Sequence, residues 1–138
     1  KQRNPNQQVS SSLGQSGVRE VVLERNRYGH YLVTGNINGH KVEFMLDTGA
    51  TQIAIPSSIA KKIGLTRLYE TEIHTANGTA MAFGTKLETV GVGDISLSNI
   101  RAIITPGMTG DIVLLGMGFL KNIEFTQRGN VLILRQYP

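Results

Sequence analysis

Val42-Glu43-Phe44-Met45-Leu46-Asp47-Thr48-Gly49-Ala50-Thr51 is the stretch on which the reading of this chain turns. Val42, Phe44 and Leu46 alternate with Lys41 and Glu43, the period of two that marks a strand with one buried face. Just upstream, Asn38-Gly39 is a two-residue turn signal, because both residues tolerate the positive φ such a turn needs, so His30-Tyr31-Leu32-Val33-Thr34 is expected to pair back on residues 41–46. Asp47 therefore arrives at the end of a half-buried strand. Thr48 then offers a hydroxyl, and Gly49 lets backbone approach a carboxylate closely. The sequence holds three aspartates, and neither Asp94 nor Asp111 sits in a second Asp-Thr-Gly. A pair of such carboxylates requires a second copy of the chain.

Outward from this point strand signals dominate. Residues 52–55 form a short apolar run, after which Pro56-Ser57-Ser58 opens a helical turn that Gly64 stops. Residues 70–76 and 79–87 flank Asn77-Gly78, a second hairpin signal. Two further apolar blocks, 90–97 and 100–104, end at Pro106-Gly107. Ile112-Val113-Leu114-Leu115-Gly116 precedes a short helix expected at Phe119-Leu120-Lys121, and strands are expected near 123–126 and 131–134. With 16 glycines in 138 residues, tight turns and bent strands fit an all-β architecture of one domain. Residues 1–17 are almost devoid of apolar side chains and are expected to be a flexible polar tether, leaving 18–138 as the folded domain. The apolar-then-glycine elements at 45–49 and 113–116 hint at an internal repeat or at two ordinary buried strands.

Composition removes several function classes. There is no cysteine, so disulfides, thiolate metal sites and a cysteine nucleophile are excluded. The net charge of +4 comes from scattered Lys and Arg without interleaved aromatics, which describes a solvated basic surface rather than a nucleic-acid footprint. No apolar run approaches the roughly 18 residues of a membrane span. The chain starts with Lys, so a processed product or fragment is expected, with any anchor upstream of it. His30, His40 and His74 match no common zinc spacing, no serine sits in a nucleophile elbow, and no cofactor or metal is expected.

The chemistry that suits Asp47 is hydrolysis of an amide. Water attacking an amide needs a base to take its proton and an acid to polarise the carbonyl. Two carboxylates about 3 Å apart supply both by sharing one proton, since like charges that close resist joint ionisation. By itself Asp-Thr-Gly is a turn found by chance in a few per cent of chains this long. An aspartyl phosphotransferase would also place Asp after an apolar strand, but it needs alternating strands and helices and further metal-binding aspartates.

In combination and in order, Leu46-Asp47-Thr48-Gly49-Ala50-Thr51, His74-Thr75-Ala76-Asn77-Gly78-Thr79-Ala80 and Leu114-Leu115-Gly116 resemble the retropepsin-like aspartic proteases, over most of the chain from about 30 to 134. The wording of these motifs is similar to a bacterial branch of membrane-anchored enzymes. The resemblance implies a small closed β-barrel-like fold with a flap hairpin and one short C-terminal helix. It implies a homodimer in which Asp47, Thr48 and Gly49 of each copy form the catalytic site. Ala50, Thr75, Ala76, Asn77, Gly78, Thr79 and Leu115 would contact an extended polypeptide substrate. It further implies a location at the cell envelope. The polar composition of the tether suits a spacer, with a self-processing site within it as the alternative. The alternative function is a silent protease-like fold that binds peptides or dimerises without turnover. The chain departs from the viral pattern by having Thr51 and Met117 where an acidic residue and an arginine usually form a charged lock, so a weaker dimer is expected.

Overall fold

The computed structural model describes residues 3–8, 10–13 and 17–138. In chain order the elements are β1 (Ser10–Leu13), β2 (Arg19–Glu24), β3 (Leu32–Ile37), β4 (His40–Leu46), β5 (Ile53–Pro56), α1 (Ser57–Ile63), β6 (Tyr69–Thr75), β7 (Gly78–Val92), β8 (Ile95–Thr105), β9 (Ile112–Leu115), α2 (Met117–Leu120), β10 (Glu124–Arg128) and β11 (Val131–Gln136). The hairpin expected at Asn38-Gly39 forms between β3 and β4, with φ of 52° and 81° at the two turn residues. Helix α1 ends where Gly64 takes a left-handed φ of 75°.

The larger sheet runs β3-β4-β9-β5-β8-β7-β6, and β3 also pairs with β7 through Asn36↔Gly91 and Ile37↔Val90. The ring β3-β4-β9-β5-β8-β7 thus closes into a small barrel, with β6 outside it on β7. Closure depends on two glycines. A Cβ on Gly35 would collide with the Gly91 carbonyl and sit 2.8 Å from the Phe44 ring, and one on Gly91 would lie 2.7 Å from Asn36 Nδ2. Asn38 seals the seam beside them: its Oδ1 accepts from Glu88 N at 2.8 Å and Thr89 N at 3.1 Å. Val33, Ile37, Phe44, Ile53, Leu87 and Val113 are fully buried within. The second sheet, β1-β2-β11-β10, turns Val21, Leu23, Leu132 and Leu134 onto the same core.

Three expectations are revised. The apolar blocks before and after residue 88 belong to one continuous strand, β7, and α2 starts at Met117 rather than Phe119. Of the tether expected over 1–17, residues 1, 2, 9 and 14–16 lie outside the described residues. Within the remainder, Ser10–Leu13 pairs with β2, and Asn4 and Asn6 are buried. Asn6 Nδ2 donates to Glu24 O at 2.8 Å and Leu32 O at 2.7 Å, while its Oδ1 accepts from Glu24 N at 2.8 Å. Its carbonyl accepts from Thr34 N at 3.1 Å. The composition argument counted apolar area, whereas this segment docks by satisfying backbone groups of β2 and β3 with asparagine amides.

Candidate active site

Strand β9 lies between β4 and β5, the two strands joined by residues 47–52, so that loop has to cross the end of β9. Parallel pairing sets Leu46 opposite Leu115. At the crossing, Asp47 N donates to Leu115 O at 3.2 Å, Ala50 N to Asp47 O at 3.1 Å, and Met117 N to Ala50 O at 2.8 Å. Gly116 makes the crossing sterically feasible, since a Cβ there would collide with the Gln52 carbonyl and stand 2.6 Å from Ala50 O. On the other side, Leu46 N donates to Tyr31 O at 3.0 Å. The carboxylate itself accepts from Gly49 N at 2.9 Å. Asp47 is held half-buried on a loop pinned at both ends by backbone hydrogen bonds, the rigid support that a positioned acid or base needs.

The rim of this loop faces outward. Thr48, Gly49 and Thr51 are exposed, and Ala50 is half-buried. Leu115, expected to touch substrate, is instead fully buried in the core. Its carbonyl supports Asp47, and its side chain is out of reach of a ligand. Asp94 and Asp111 lie in turns, before β8 and before β9, the latter at the far end of β9 from Leu115. Among the described residues no group of His, Asp and Glu gathers that could hold a metal ion.

The second hairpin is present, with Ala76 and Asn77 as its central residues and Thr75 paired to Gly78. Positive φ falls only on Gly78, at 109°, so this turn differs in type from the one at Asn38-Gly39. Thr75 Oγ1 donates to Gly78 O at 2.7 Å and accepts from Asn77 N at 3.2 Å. Residues 74–79 are exposed, as is Met81. Sequence reading missed what grips the hairpin's base. β7 bonds to β8 only from Phe83 onward, so residues 78–82 pair with β6 alone and the ribbon projects from the barrel. At its root the Tyr69 ring covers Gly84 so closely that a Cβ there would collide with it, and the Arg67 guanidinium lies 4.1 Å from the Phe83 ring centroid. Arg67 also donates to Ser57 Oγ of α1 at 3.1 Å, and Thr85 Oγ1 to Thr66 O at 2.8 Å. A glycine inside a strand is the one sequence signal for such a close approach.

Comparison with known proteins agrees with this geometry. The family model described as gag-polyprotein putative aspartyl protease matches residues 33–122. An uncharacterized protein of Sinorhizobium sp. is 36% identical over 114 residues, which is 80% of this chain and 49% of that protein. One from Rickettsia prowazekii is 33% identical over 123 residues, 87% of this chain and 52% of that protein. The chain spans about half the length of these curated relatives. The crystal structure of a retropepsin-like aspartic protease from Rickettsia conorii superposes with a TM-score of 0.76 at 32% identity, covering 94% of this chain and 96% of that one. With its closed barrel and the Asp47 loop laid across Gly116, the chain belongs to the retropepsin-like aspartic protease family.

Proposed function

We propose that the chain is an aspartic endopeptidase whose active site is completed by a second copy, Asp47 of each contributing one carboxylate to a dyad. The observation that carries this reading is a single, backbone-pinned Asp47 on an outward-facing Asp-Thr-Gly rim, in a family of aspartic proteases. One carboxylate cannot be acid and base at once. Two related by a two-fold axis share a proton: the ionised one takes a proton from water while the protonated one donates to the scissile carbonyl. The exposed Thr48 hydroxyl, which makes no hydrogen bond among the described residues, is available to brace the partner loop. An extended peptide would lie beneath the Ala76-Asn77 hairpin as an added strand, held by main-chain hydrogen bonds, and closure of that hairpin would exclude water.

Within each copy the tie between the catalytic loop and α2 is the backbone bond from Met117 N to Ala50 O, not a pair of charges. This supports a dimer weaker than the charged-lock type. Among the described residues no helix is long and apolar enough to cross a membrane, so attachment at the cell envelope would use a segment outside this chain. Self-processing near the N-terminus belongs to the same reading.

The test is cleavage of a proteome-derived peptide mixture by wild type and Asp47→Asn across a dilution series. Wild-type activity should rise faster than linearly with enzyme concentration near the dimerisation constant, and Asp47→Asn should lose at least about a thousandfold, the scale of removing a catalytic acid–base group. Turnover that survives in Asp47→Asn, or that scales linearly down to a monomer, refutes the dyad. Peptide binding without any turnover points to the silent module.

A further inference from the structure

Arg25 and Arg27 stand in the loop between β2 and β3, and the residue between them is 7% exposed. Asn26 Oδ1 accepts from Tyr28 N and His30 N, both at 3.0 Å, and its Nδ2 donates to Arg3 O at 3.1 Å. Its backbone N–H donates to His30 O at 2.9 Å, and its carbonyl accepts from Gly29 N at 3.0 Å. A buried asparagine thus commits its amide to the shape of an exposed loop and draws Arg3, distant in sequence, beside Arg25 and Arg27.

Arg3, Pro5, Arg25, Asn26, Arg27 and Tyr28 line a cavity of about 420 Å³, and an adjoining hollow of about 650 Å³ uses the same loop with Asn130. No Asp or Glu lines either one. Among the described residues no ion pair joins these three arginines to a carboxylate. Arg27 lies 5.2 Å from the Tyr28 ring centroid and donates to its hydroxyl at 3.2 Å, which steadies the guanidinium without neutralising it. Guanidinium groups gathered this way favour a planar anion, because each presents paired N–H donors that match a carboxylate.

The loop is also close to the chemistry. It leads into Tyr31, whose carbonyl bonds Leu46 N one residue before Asp47. Tyr31 lies four positions after Arg27, a reach of about 14 Å at most, which an extended peptide covers in about four residues.

We propose that Arg3, Arg25 and Arg27 form an anion subsite that accepts Asp or Glu side chains of the polypeptide substrate, several residues from the bond that is cut. The proposal rests on the protease reading for its substrate, and it deepens that reading by naming an acidic flank as the substrate class. The concave form of the cavity favours a side chain over a flat layer of lipid headgroups.

The test uses peptides that share one cleavable core and carry a Glu-rich, Gln-rich or Lys-rich flank. KM and kcat are measured at low and high salt, and binding of the same peptides to Asp47→Asn is followed by fluorescence anisotropy. The Glu-rich peptide should show a KM about tenfold below the Gln-rich one, an advantage that salt erases. Arg25→Glu/Arg27→Glu should invert the order in favour of the Lys-rich flank, an inversion that misfolding cannot produce, and Arg25→Lys/Arg27→Lys should keep most of the original order. Equal KM for all three flanks in wild type overturns the subsite even if every peptide is cut. Flank-selective binding that follows the charge reversal, with no peptide cut, supports the subsite and removes the protease reading instead. Arginine-dependent binding to phosphatidylglycerol vesicles, absent with phosphatidylcholine and with the Glu-rich peptide, overturns the proposal in favour of a membrane-facing role.

Discussion

Gly116 shows how one missing side chain governs the site. The Asp47–Gln52 loop passes over it, and the atoms an added methyl would meet are the carbonyls of Gln52 and Ala50 and the Ala50 Cβ at 2.9 Å. Two of these are backbone, so relief requires moving the loop that carries Asp47. Gly116→Ala should therefore cost about 1–3 kcal/mol, as overpacking does, and should depress peptide cleavage well beyond its effect on folding. Gly118→Ala is the matched control, because its nearest neighbour would stand at an ordinary 3.5 Å. Urea unfolding with parallel cleavage assays checks both, and equal behaviour of the two variants would contradict this account. At this scale the position of the candidate site was legible. Asp47, Thr48 and Gly49 follow a strand whose alternation placed them, and the Leu-Leu-Gly element marked Gly116. The substrate contact that the resemblance implied for Leu115 does not fit its full burial, because a shared motif marks a position without telling that its carbonyl, rather than its side chain, meets the loop.

Among the elements, the β6–β7 ribbon has the least support. Between its tip and Phe83 it has no third strand, and of residues 69–82 only Ala82 is fully buried, and two-stranded ribbons of that kind are marginal alone. Its order depends on the root, where Tyr69 lies on Gly84 and Arg67 lies on Phe83 while reaching back to α1. A cross-strand aromatic pair and an exposed cation–π contact contribute about 0.5–1 kcal/mol each. Tyr69→Ala and Arg67→Ala should each speed amide exchange at 73–80 several-fold while leaving exchange in the β3–β4 hairpin unchanged. Because substrate binding would then have to order a looser ribbon, KM should rise more than kcat falls. Tyr69→Phe should restore both readouts, since the ring and not the hydroxyl covers Gly84. Uniform exchange across the ribbon and the barrel would show that the root grips nothing. The hairpin itself was visible in Asn77-Gly78, but its clamp pairs residues 67 and 69 with 83 and 84, a distance over which local patterns are silent.

For the molecule as a whole, the least legible features were those that join its ends. Barrel closure through β3 and β7, the passage of β9 between β4 and β5, and the docking of Asn4 and Asn6 all pair segments far apart in sequence, where only packing decides. The second sheet shows how the termini are latched. Arg135 of β11 bonds Glu20 of β2 at 2.8 Å and Glu124 of β10 at 3.4 Å, and the Tyr137 hydroxyl donates to Glu124 at 3.1 Å. The bond to Glu20, then the one to Glu124, holds the Arg135 pKa above its ordinary value. The bond to Glu124 raises that of Tyr137 above 10.0. The folded chain then binds the phenolic proton more tightly than the unfolded chain does, so this latch is at full strength below pH 10.0 and weakens as pH rises through the raised value. Glu124 and Tyr137 are solvent-exposed and Arg135 and Glu20 are partly so, which keeps the effect small and salt-sensitive. Wild type should exceed Tyr137→Phe in urea midpoint at pH 8, and the gap should close above pH 10 because the ionised phenolate faces Glu124. A gap that stays constant across that range, or an ultraviolet titration in which Tyr137→Phe removes an early-ionising tyrosine rather than a late one, would show that the C-terminal residues are not latched in this way.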